Sequence, residues 1–332
     1  MLALHSCTAD RGQAATDLAA ASLPPGIVWI DLMKAEPDEI RFVERAAGLQ
    51  VPTFESLSEI ESSSRLRSEG GALYLSTPLV FRAESGEPRA TPVGFVLTPD
   101  LLTTVRFEPL SAFATFAERA TRPKGVHPSS AGAFVGLAEA MVDRMADVLE
   151  RVGAELDEVS HRVFRADGAE SRRRRPAKED AGLREVLRQV GRCGDLASKI
   201  RDSLLGIGRI VPYVTSMGAD WLPSEVKPHL RTLHQDIVSL TDYDHHLTNK
   251  VQLLLDATLG LINTEQNNII KVLTVVSVVG VPPTLVASMY GMNFHDMPEL
   301  SWSFGYPFGL ALIVLSAVGP LIWFKLRGWL YG

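Results

Sequence analysis

Two long apolar stretches near the C-terminal end dominate the pattern of hydrophobic and polar positions along the chain. Residues 272–292 and 301–324 carry no charge, whereas charged residues occur throughout the chain up to Lys271. Each stretch supplies the roughly 20 residues that a helix needs to cross a hydrocarbon core of about 30 Å. Two such stretches in tandem predict membrane spans at 272–292 and 306–324 rather than two buried core helices.

The flanking residues predict the orientation of these spans. The connecting loop, 293–305, contains two acids and no lysine or arginine, while Lys271 precedes the first span and Lys325 and Arg327 follow the second. Positive charge collects on the cytoplasmic side of a membrane. We therefore expect a bacterial-type inner-membrane protein with an external loop, cytoplasmic N- and C-termini, and a short cytoplasmic tail at 325–332.

The chain before the spans begins with short apolar runs separated by amphipathic segments. Strands and a hairpin are predicted at Ile27–Met33, at Ala72–Phe81 and over 93–107 with an interruption at 98–100. The segment Pro37–Ala47 has the pattern of a helix. These elements favour an α/β domain over 27–128, preceded by an N-terminal segment at 1–26 and closed by a stretch containing proline and glycine at 122–128.

From residue 129 the apolar positions recur at helical spacing. They predict an antiparallel helical pair within 129–222, with helices at 130–164 and about 177–207 joined by a turn at the arginine run 172–175. After Pro228 no proline occurs until Pro282. One helix is therefore predicted over about 225–292, with its part at 223–271 forming a cytoplasmic stalk that continues into the first span.

Composition excludes several classes of function. The net charge of −6 and the lack of a basic patch interleaved with aromatic residues argue against nucleic-acid binding. Cys7 and Cys193 match no metal-ligand spacing and imply no disulfide framework. The sequence contains no phosphate-binding Gly-x-x-x-x-Gly-Lys-Ser/Thr motif, no Gly-x-Ser-x-Gly, no His-Glu-x-x-His and no dinucleotide-binding glycine motif after a strand. We expect neither an enzyme nor an organic cofactor.

The first predicted span has a narrow face of mostly small or hydroxyl-bearing side chains. In steps of three and four residues this face contains Asn267, Ile270, Thr274, Ser277, Val281, Thr284, Ser288 and Gly291. Such a face could line water. Tight helix packing uses the same residue types, so the pattern alone leaves both interpretations open.

The loop after this face carries a recognisable motif. The tetrapeptide Tyr290-Gly291-Met292-Asn293, followed by Met-Pro-Glu-Leu at 297–300 and by Lys-Leu-Arg-Gly-Trp-Leu at 325–330, resembles the CorA family of magnesium channels. The resemblance covers essentially all of 267–330. It implies an α/β cytoplasmic domain, a long α-helical stalk and two C-terminal transmembrane helices, assembled as a CorA-like homopentameric funnel. The first span of each chain would line one central pore, and the second would pack outside it.

The resemblance also implies roles for individual residues. Asn293 would form a ring that holds hydrated Mg²⁺ through amide oxygens, since magnesium gives up its water reluctantly and prefers octahedral oxygen coordination. Further pore positions follow. Polar rings are expected at Gly291, Thr284, Ser277 and Asn267, and an apolar constriction that closes by dewetting is expected at Val281 and Leu273.

The acidic residues divide into two groups. Asp296 and Glu299 in the external loop would raise the local cation concentration. Asp236, Asp242 and Asp244 on the stalk are candidates for binding intracellular Mg²⁺ as a regulatory ligand, because the resemblance implies that bound magnesium holds the closed state. Influx would be passive, since a membrane potential contributes about 4.6 kcal/mol per 100 mV for a divalent ion.

Three departures from the family pattern stand out. His295 occupies a position that is often acidic, Pro283 adds a second proline beside Pro282 and is expected to perturb the helix, and the basic run after the second span is reduced to Lys325 and Arg327.

Other functions remain open at this stage. Cobalt and nickel often pass pores of this kind. His229, His234, His245 and His246 on the stalk suggest zinc transport as an alternative, because zinc favours imidazole ligands. A membrane-anchored cytoplasmic scaffold is an alternative of a different class.

Overall fold

The computed structural model describes residues 1–6, 13–14, 18, 22–59, 61–84, 87–120, 129–165, 176–293 and 297–329. The chain divides into two compact units, Met1–Leu255 and Asp256–Gly332. The predicted closing stretch at 122–128 and the predicted arginine turn at 172–175 lie outside the described residues.

The first unit contains a seven-stranded sheet. Its strands are β1 (Leu2–Ser6), β2 (Gln13–Ala14), β3 (Ile27–Met33), β4 (Leu66–Glu69), β5 (Ala72–Phe81), β6 (Arg89–Leu97) and β7 (Leu102–Arg106). Their order is β2-β1-β3-β7-β6-β5-β4. Strands β3 and β7 are parallel, with Trp29 opposite Leu102, and the other neighbours among the described strands are antiparallel. The strands predicted at Ile27–Met33 and Ala72–Phe81 are confirmed.

The N-terminal segment contributes to this sheet. Strand β1 pairs with β3 along its whole length, and Leu2 and Leu4 are buried in the same core as Ile30 and Leu32. The sheet therefore begins well before residue 27, where the sequence pattern placed the start of the domain.

Helices cover both faces of the sheet. Helix α1 (Pro37–Ala47), which the sequence predicted, buries Phe42 and Val43 against the face that carries Ile30. Two short helices follow it, α2 (Phe54–Leu57) and α3 (Ser62–Arg65). On the opposite face, the Trp29 ring lies 5.1 Å from the ring of Phe116 in α4 (Ser111–Ala120). Alternate side chains of β3 thus enter two separate apolar layers, as the period of two in a strand requires.

The two long helices that follow match the predicted antiparallel pair. Helix α5 spans Ser130–Arg165, and α6 spans Pro176–Met217. Contacts from Glu155 to Cys193 and from Arg162 to Gln189 show that they run in opposite directions. Helix α6 extends ten residues beyond the predicted end at 207 and continues through Pro212.

Helix α7 spans Val226–Tyr290 and is the single long helix that the sequence predicted. A short 3-10 helix at Pro298–Ser301 and helix α8 (Gly305–Leu326) complete the chain. Helix α7 continues through both Pro282 and Pro283, so the expected perturbation does not interrupt it. The prolines lack N–H groups, which leaves the carbonyls of Val278 and Val279 without their usual intrahelical partners.

Candidate ion-conduction segment

Helices α7 and α8 each contain a stretch long and apolar enough to cross a membrane. Most of the apolar side chains in these stretches are not covered by the residues that the structure describes: Leu273 is 65% exposed and Val281 is 61% exposed. A continuous apolar surface of this extent marks contact with a membrane or with other protein chains. The two predicted spans are therefore exposed to the extent expected of helices that are covered by lipid or by other chains.

The polar positions predicted to face a pore all lie on α7 or directly after it. Asn267, Ser277 and Thr284 are exposed, and helical spacing places them on one face. Thr284 donates its hydroxyl hydrogen to the carbonyl oxygens of Val281 and Gly280, at 2.7 and 3.2 Å. Because its hydrogen is used inside the helix, the hydroxyl oxygen can still accept hydrogen bonds. Water bound to a cation points its hydrogens outward, so an acceptor-bearing face suits a hydrated ion.

Gly291 and Met292, the first two residues of the Gly-Met-Asn motif, form the tight turn that ends α7. Gly291 N–H donates to the carbonyls of Ala287 and Ser288, at 3.0 and 3.2 Å, and Met292 N–H donates to the carbonyl of Met289 at 3.3 Å. A Cβ on Gly291 would lie only 3.3 Å from the carbonyl oxygen of Ala287, so a larger residue would crowd this turn.

Asn293 follows this turn and is exposed. It therefore lies just beyond the C-terminal end of a helix, where the partial negative charge of the last carbonyls favours a cation. Sequence reasoning did not include this contribution. His295 and Asp296 lie outside the described residues.

The second loop acid is held by the backbone around it. Glu299 is half-buried in the 3-10 helix, and its carbonyl oxygen accepts a hydrogen bond from Trp302 N–H at 3.4 Å. A Cβ on Gly305 would lie 2.2 Å from that same oxygen. Only glycine permits this close approach, so Gly305 allows the loop to fold directly against the start of α8.

Aromatic residues gather at both ends of α8. The Trp302 and Phe308 rings lie 6.1 Å apart near its start, and the Phe324 and Trp329 rings stack at 5.4 Å near its end. Arg327 places its guanidinium 5.4 Å from the Trp323 ring. Aromatic and basic side chains in these positions are typical of residues at membrane interfaces.

The three stalk carboxylates occupy different environments. Asp236 and Asp242 are exposed, but Asp244 is fully buried and lies 2.7 Å from Nε of Arg201. Burial raises the pKa of Asp244, and the neighbouring Arg201 partly offsets that effect. Asp244 is thus enclosed and engaged within its own chain. This position does not favour Asp244 as a ligand for regulatory Mg²⁺ between neighbouring cytoplasmic domains.

The stalk histidines do not assemble a metal site within one chain. His229 Nδ1 lies 3.1 Å from Glu139 Oε1, and His234, His245 and His246 are exposed. Among the residues that the structure describes, no three His, Cys, Asp or Glu side chains are grouped so that they could hold a metal ion. The described part of the chain therefore offers no zinc site of its own.

Comparisons with known proteins agree with this arrangement of elements. The family described as CorA-like Mg²⁺ transporter protein matches residues 25–326. The magnesium transport proteins CorA of Escherichia coli K12 and of Yersinia pseudotuberculosis are each 32% identical to the chain over 303 residues, which cover 91% of this chain and 92% of theirs.

Solved structures share the fold. The complete CorA magnesium transporter of Methanocaldococcus jannaschii superposes with a TM-score of 0.72 at 16% identity, covering 99% of this chain and 98% of its own. The ZntB cytoplasmic domain from Vibrio parahaemolyticus superposes with a TM-score of 0.57 at 12% identity, covering 80% of this chain and 98% of its own. On the strength of the family match and the 32% identity over nine-tenths of its length, the chain belongs to the CorA-like Mg²⁺ transporter family.

Proposed function

We propose that this chain is the subunit of a passive channel that carries Mg²⁺ into the cell. The proposal rests on the first apolar stretch. One face of this stretch carries side chains that can accept hydrogen bonds, and this face leads to Asn293, whose exposed amide lies just after the end of α7. Relatives 32% identical over nine-tenths of the chain are named magnesium transport proteins, which supports Mg²⁺ as the main ion.

Several chains must surround such a pathway, because one helix cannot enclose a pore. A homopentamer in the inner membrane, with cytoplasmic termini and an external loop, would bring five copies of α7 together and leave α8 outside. Five Asn293 amides would then grip the hydration shell of the ion without removing it, which suits a cation that dehydrates reluctantly. A ring of carboxylates would bind the ion more tightly and release it more slowly.

Deeper in the pore, Gly291, Thr284, Ser277 and Asn267 would supply successive polar rings. Val281 and Leu273 would form the apolar constriction between them, which empties of water when the pore narrows. Asp296 and Glu299 would act outside the filter by raising the cation concentration at the mouth. The membrane potential alone would drive inward movement.

Intracellular Mg²⁺ would close this channel. Asp236 and Asp242 are exposed on the stalk, where each could share an ion with a neighbouring chain. Removing the ion would leave carboxylates that repel one another, and the subunits would move apart.

The direct test is Mg²⁺ uptake into liposomes that contain the purified protein and a magnesium-sensitive dye. Asn293→Ala should abolish selective uptake, since it removes the amide oxygen. Asn268→Ala is a control of the same chemistry, because it removes an exposed amide from α7 outside the polar face. Equal uptake by Asn293→Ala and wild type would refute the asparagine ring.

The same liposomes separate the competing functions. Co²⁺, Ni²⁺ and Zn²⁺ added in competition would rank the ions, and preferential zinc flux would favour the zinc-transporter alternative. A wild-type protein that carries no ion even at low internal Mg²⁺ would instead indicate a membrane-anchored scaffold.

A further inference from the structure

The packing of α7 on α6 contains one charged pair in an otherwise apolar seam. Buried α7 residues recur with a seven-residue repeat, and one set of equivalent positions contains Leu230, Ile237, Asp244 and Val251. The residues seven positions before and seven positions after Asp244, Ile237 and Val251, are both apolar. A carboxylate in such a position is costly to bury and calls for an explanation.

The contacts across the seam have the same period. A Cβ on Gly208 would lie 3.2 Å from Cγ2 of Ile237, and a Cβ on Gly194 would lie 3.3 Å from Cγ1 of Val251. Gly208 and Gly194 are seven residues to either side of Arg201, and Ile237 and Val251 are seven residues to either side of Asp244. The two antiparallel helices thus meet at three equivalent places, and the charged pair occupies the middle one.

Apolar contacts that repeat every seven residues determine which faces of the two helices pack together. They only weakly determine the axial position of one helix against the other. A slip of seven residues, about 10 Å along the axis, would again set apolar positions of α7 against apolar positions of α6. The same slip would place Asp244 opposite a glycine and Arg201 opposite an aliphatic side chain. The buried Asp244 carboxylate would then lose its partner, which is strongly destabilising.

The pair is also held at more than one point. Arg201 Nε donates to Asp244 Oδ2 at 2.7 Å, and Arg201 Nη2 donates to Thr248 Oγ1 one turn later. Thr248 in turn donates its hydroxyl to the Asp244 carbonyl oxygen at 3.0 Å. The guanidinium therefore bridges two successive turns of α7, and this arrangement forms at only one axial position.

We propose that the Arg201–Asp244 pair sets the axial register of α7 against α6 in the first unit, and that transport through the same helix depends on this register. Arg201 and Asp244 are positioning residues, since they act on transport through the helix that carries them. The link to transport rests on the proposed channel function, whereas the register itself does not. A single polar residue in an apolar helical seam is a known means of specifying register.

The test uses the full-length protein in liposomes. The double variant Arg201→Met, Asp244→Leu removes both charges and keeps the volume apolar, so the helices should still pack. The control double variant Lys199→Met, Asp195→Leu removes an ion pair that lies within α6 alone. Nitroxide labels at Leu205→Cys on α6 and Val238→Cys on α7, both exposed, report the register by pulsed electron resonance in a Cys7→Ser background. Dilution with unlabelled subunits restricts the signal to distances within one chain.

We expect one narrow distance for wild type and control, and a second or broadened population for the Arg201→Met, Asp244→Leu variant at an unchanged melting temperature. Mg²⁺ uptake by that variant should change about fivefold or more, within the usual range of coupling between sites. A folded double variant with the wild-type distance would overturn the register proposal, and a changed distance with wild-type uptake would overturn its link to transport. If wild type shows no uptake, the channel function fails while the distance measurement still decides the register.

Discussion

Arg106 on β7 binds the carboxylate of Asp31 on β3 through both Nε and Nη2, at 3.1 and 2.8 Å from Oδ2. Thr104 also binds this carboxylate, donating its hydroxyl to Oδ1 of Asp31 at 2.8 Å. The two strands that carry this pair are the parallel neighbours in the described sheet. A nearly buried ion pair therefore bridges the place where the sheet changes from antiparallel to parallel pairing.

Removing one partner of this pair should destabilise the first unit. Asp31→Ala leaves Arg106 enclosed without its carboxylate, and we expect the free energy of unfolding to fall by about 3–5 kcal/mol. Denaturant unfolding of the purified protein measures the change. Glu87→Ala removes an exposed partner of Arg89 at 3.7 Å and should cost no more than about 1 kcal/mol. Equal losses in the two variants would contradict a special role for the buried pair.

Substitution by alanine should change the stability of the protein in opposite directions at two glycines of α6. A Cβ on Gly206 would lie 2.0 Å from Oγ1 of Thr77 on β5, so Gly206→Ala forces helix and sheet apart and should cost about 1–3 kcal/mol. None of the described residues lies within 4 Å of a Cβ on Gly191, and Gly191→Ala should stabilise the helix by up to about 1 kcal/mol. Thermal unfolding of the two variants gives the comparison, and a Gly206→Ala protein as stable as wild type would show that the packing is looser than described.

The thiol of Cys193 should react slowly in the folded protein. Burial, followed by the nearby Glu155 carboxylate, raises the pKa of Cys193 from 9.0 to about 12, so almost no thiolate forms near neutral pH. In a Cys7→Ser background, an aromatic disulfide reagent should label Cys193 only after unfolding. Rapid labelling of the native protein would contradict its enclosure.

The same pKa shift predicts a dependence of stability on pH. The folded state holds the Cys193 proton more tightly than the unfolded state does. Its contribution to stability is therefore complete below about pH 9 and is lost as pH rises towards 12. Unfolding followed across this range, with Cys193→Ala for comparison, should show a steeper loss in the protein that keeps the thiol.

The proposed constriction can be tested by making it polar. Val281→Ser should stabilise water in the narrow part of the pore and raise Mg²⁺ leak at high internal Mg²⁺, because closure by dewetting requires an apolar surface. Val276→Ser is the matched control, since Val276 is exposed to a similar extent but lies on the opposite face of α7. Equal leak through the two variants would argue against a gate at Val281.

Much of the fold follows from local pattern, and the exceptions share a cause. The apolar run of β5, which is buried on both faces of the sheet, and the seven-residue repeat in α5 are visible in the sequence, because each element buries its own apolar side chains. Strand β4 has no such pattern, since Arg67, Ser68 and Glu69 are all exposed, and its backbone pairs with β5. A strand held by its neighbour's backbone leaves little trace in its own side chains.

In the candidate site, too, the features that depend on local pattern could be predicted and those that depend on distant residues could not. Helical periodicity was enough to place Asn267, Ser277 and Thr284 on one face of α7. The environment of Asp244 could not be read in this way, because it depends on Arg201, which lies 43 residues away along the chain. The one available signal was the seven-residue spacing between Ile237, Asp244 and Val251, which puts a carboxylate in an apolar seam.

The parallel pairing of β3 with β7 also has a consequence for the timing of synthesis. Trp29 cannot meet Leu102 until the ribosome has added the intervening residues, which takes several seconds at about 5–20 residues per second. All seven strands are nevertheless available for pairing well before the apolar stretch after Lys271 is made. The order of translation thus allows the sheet to form before the apolar stretches of α7 and α8 enter a bilayer.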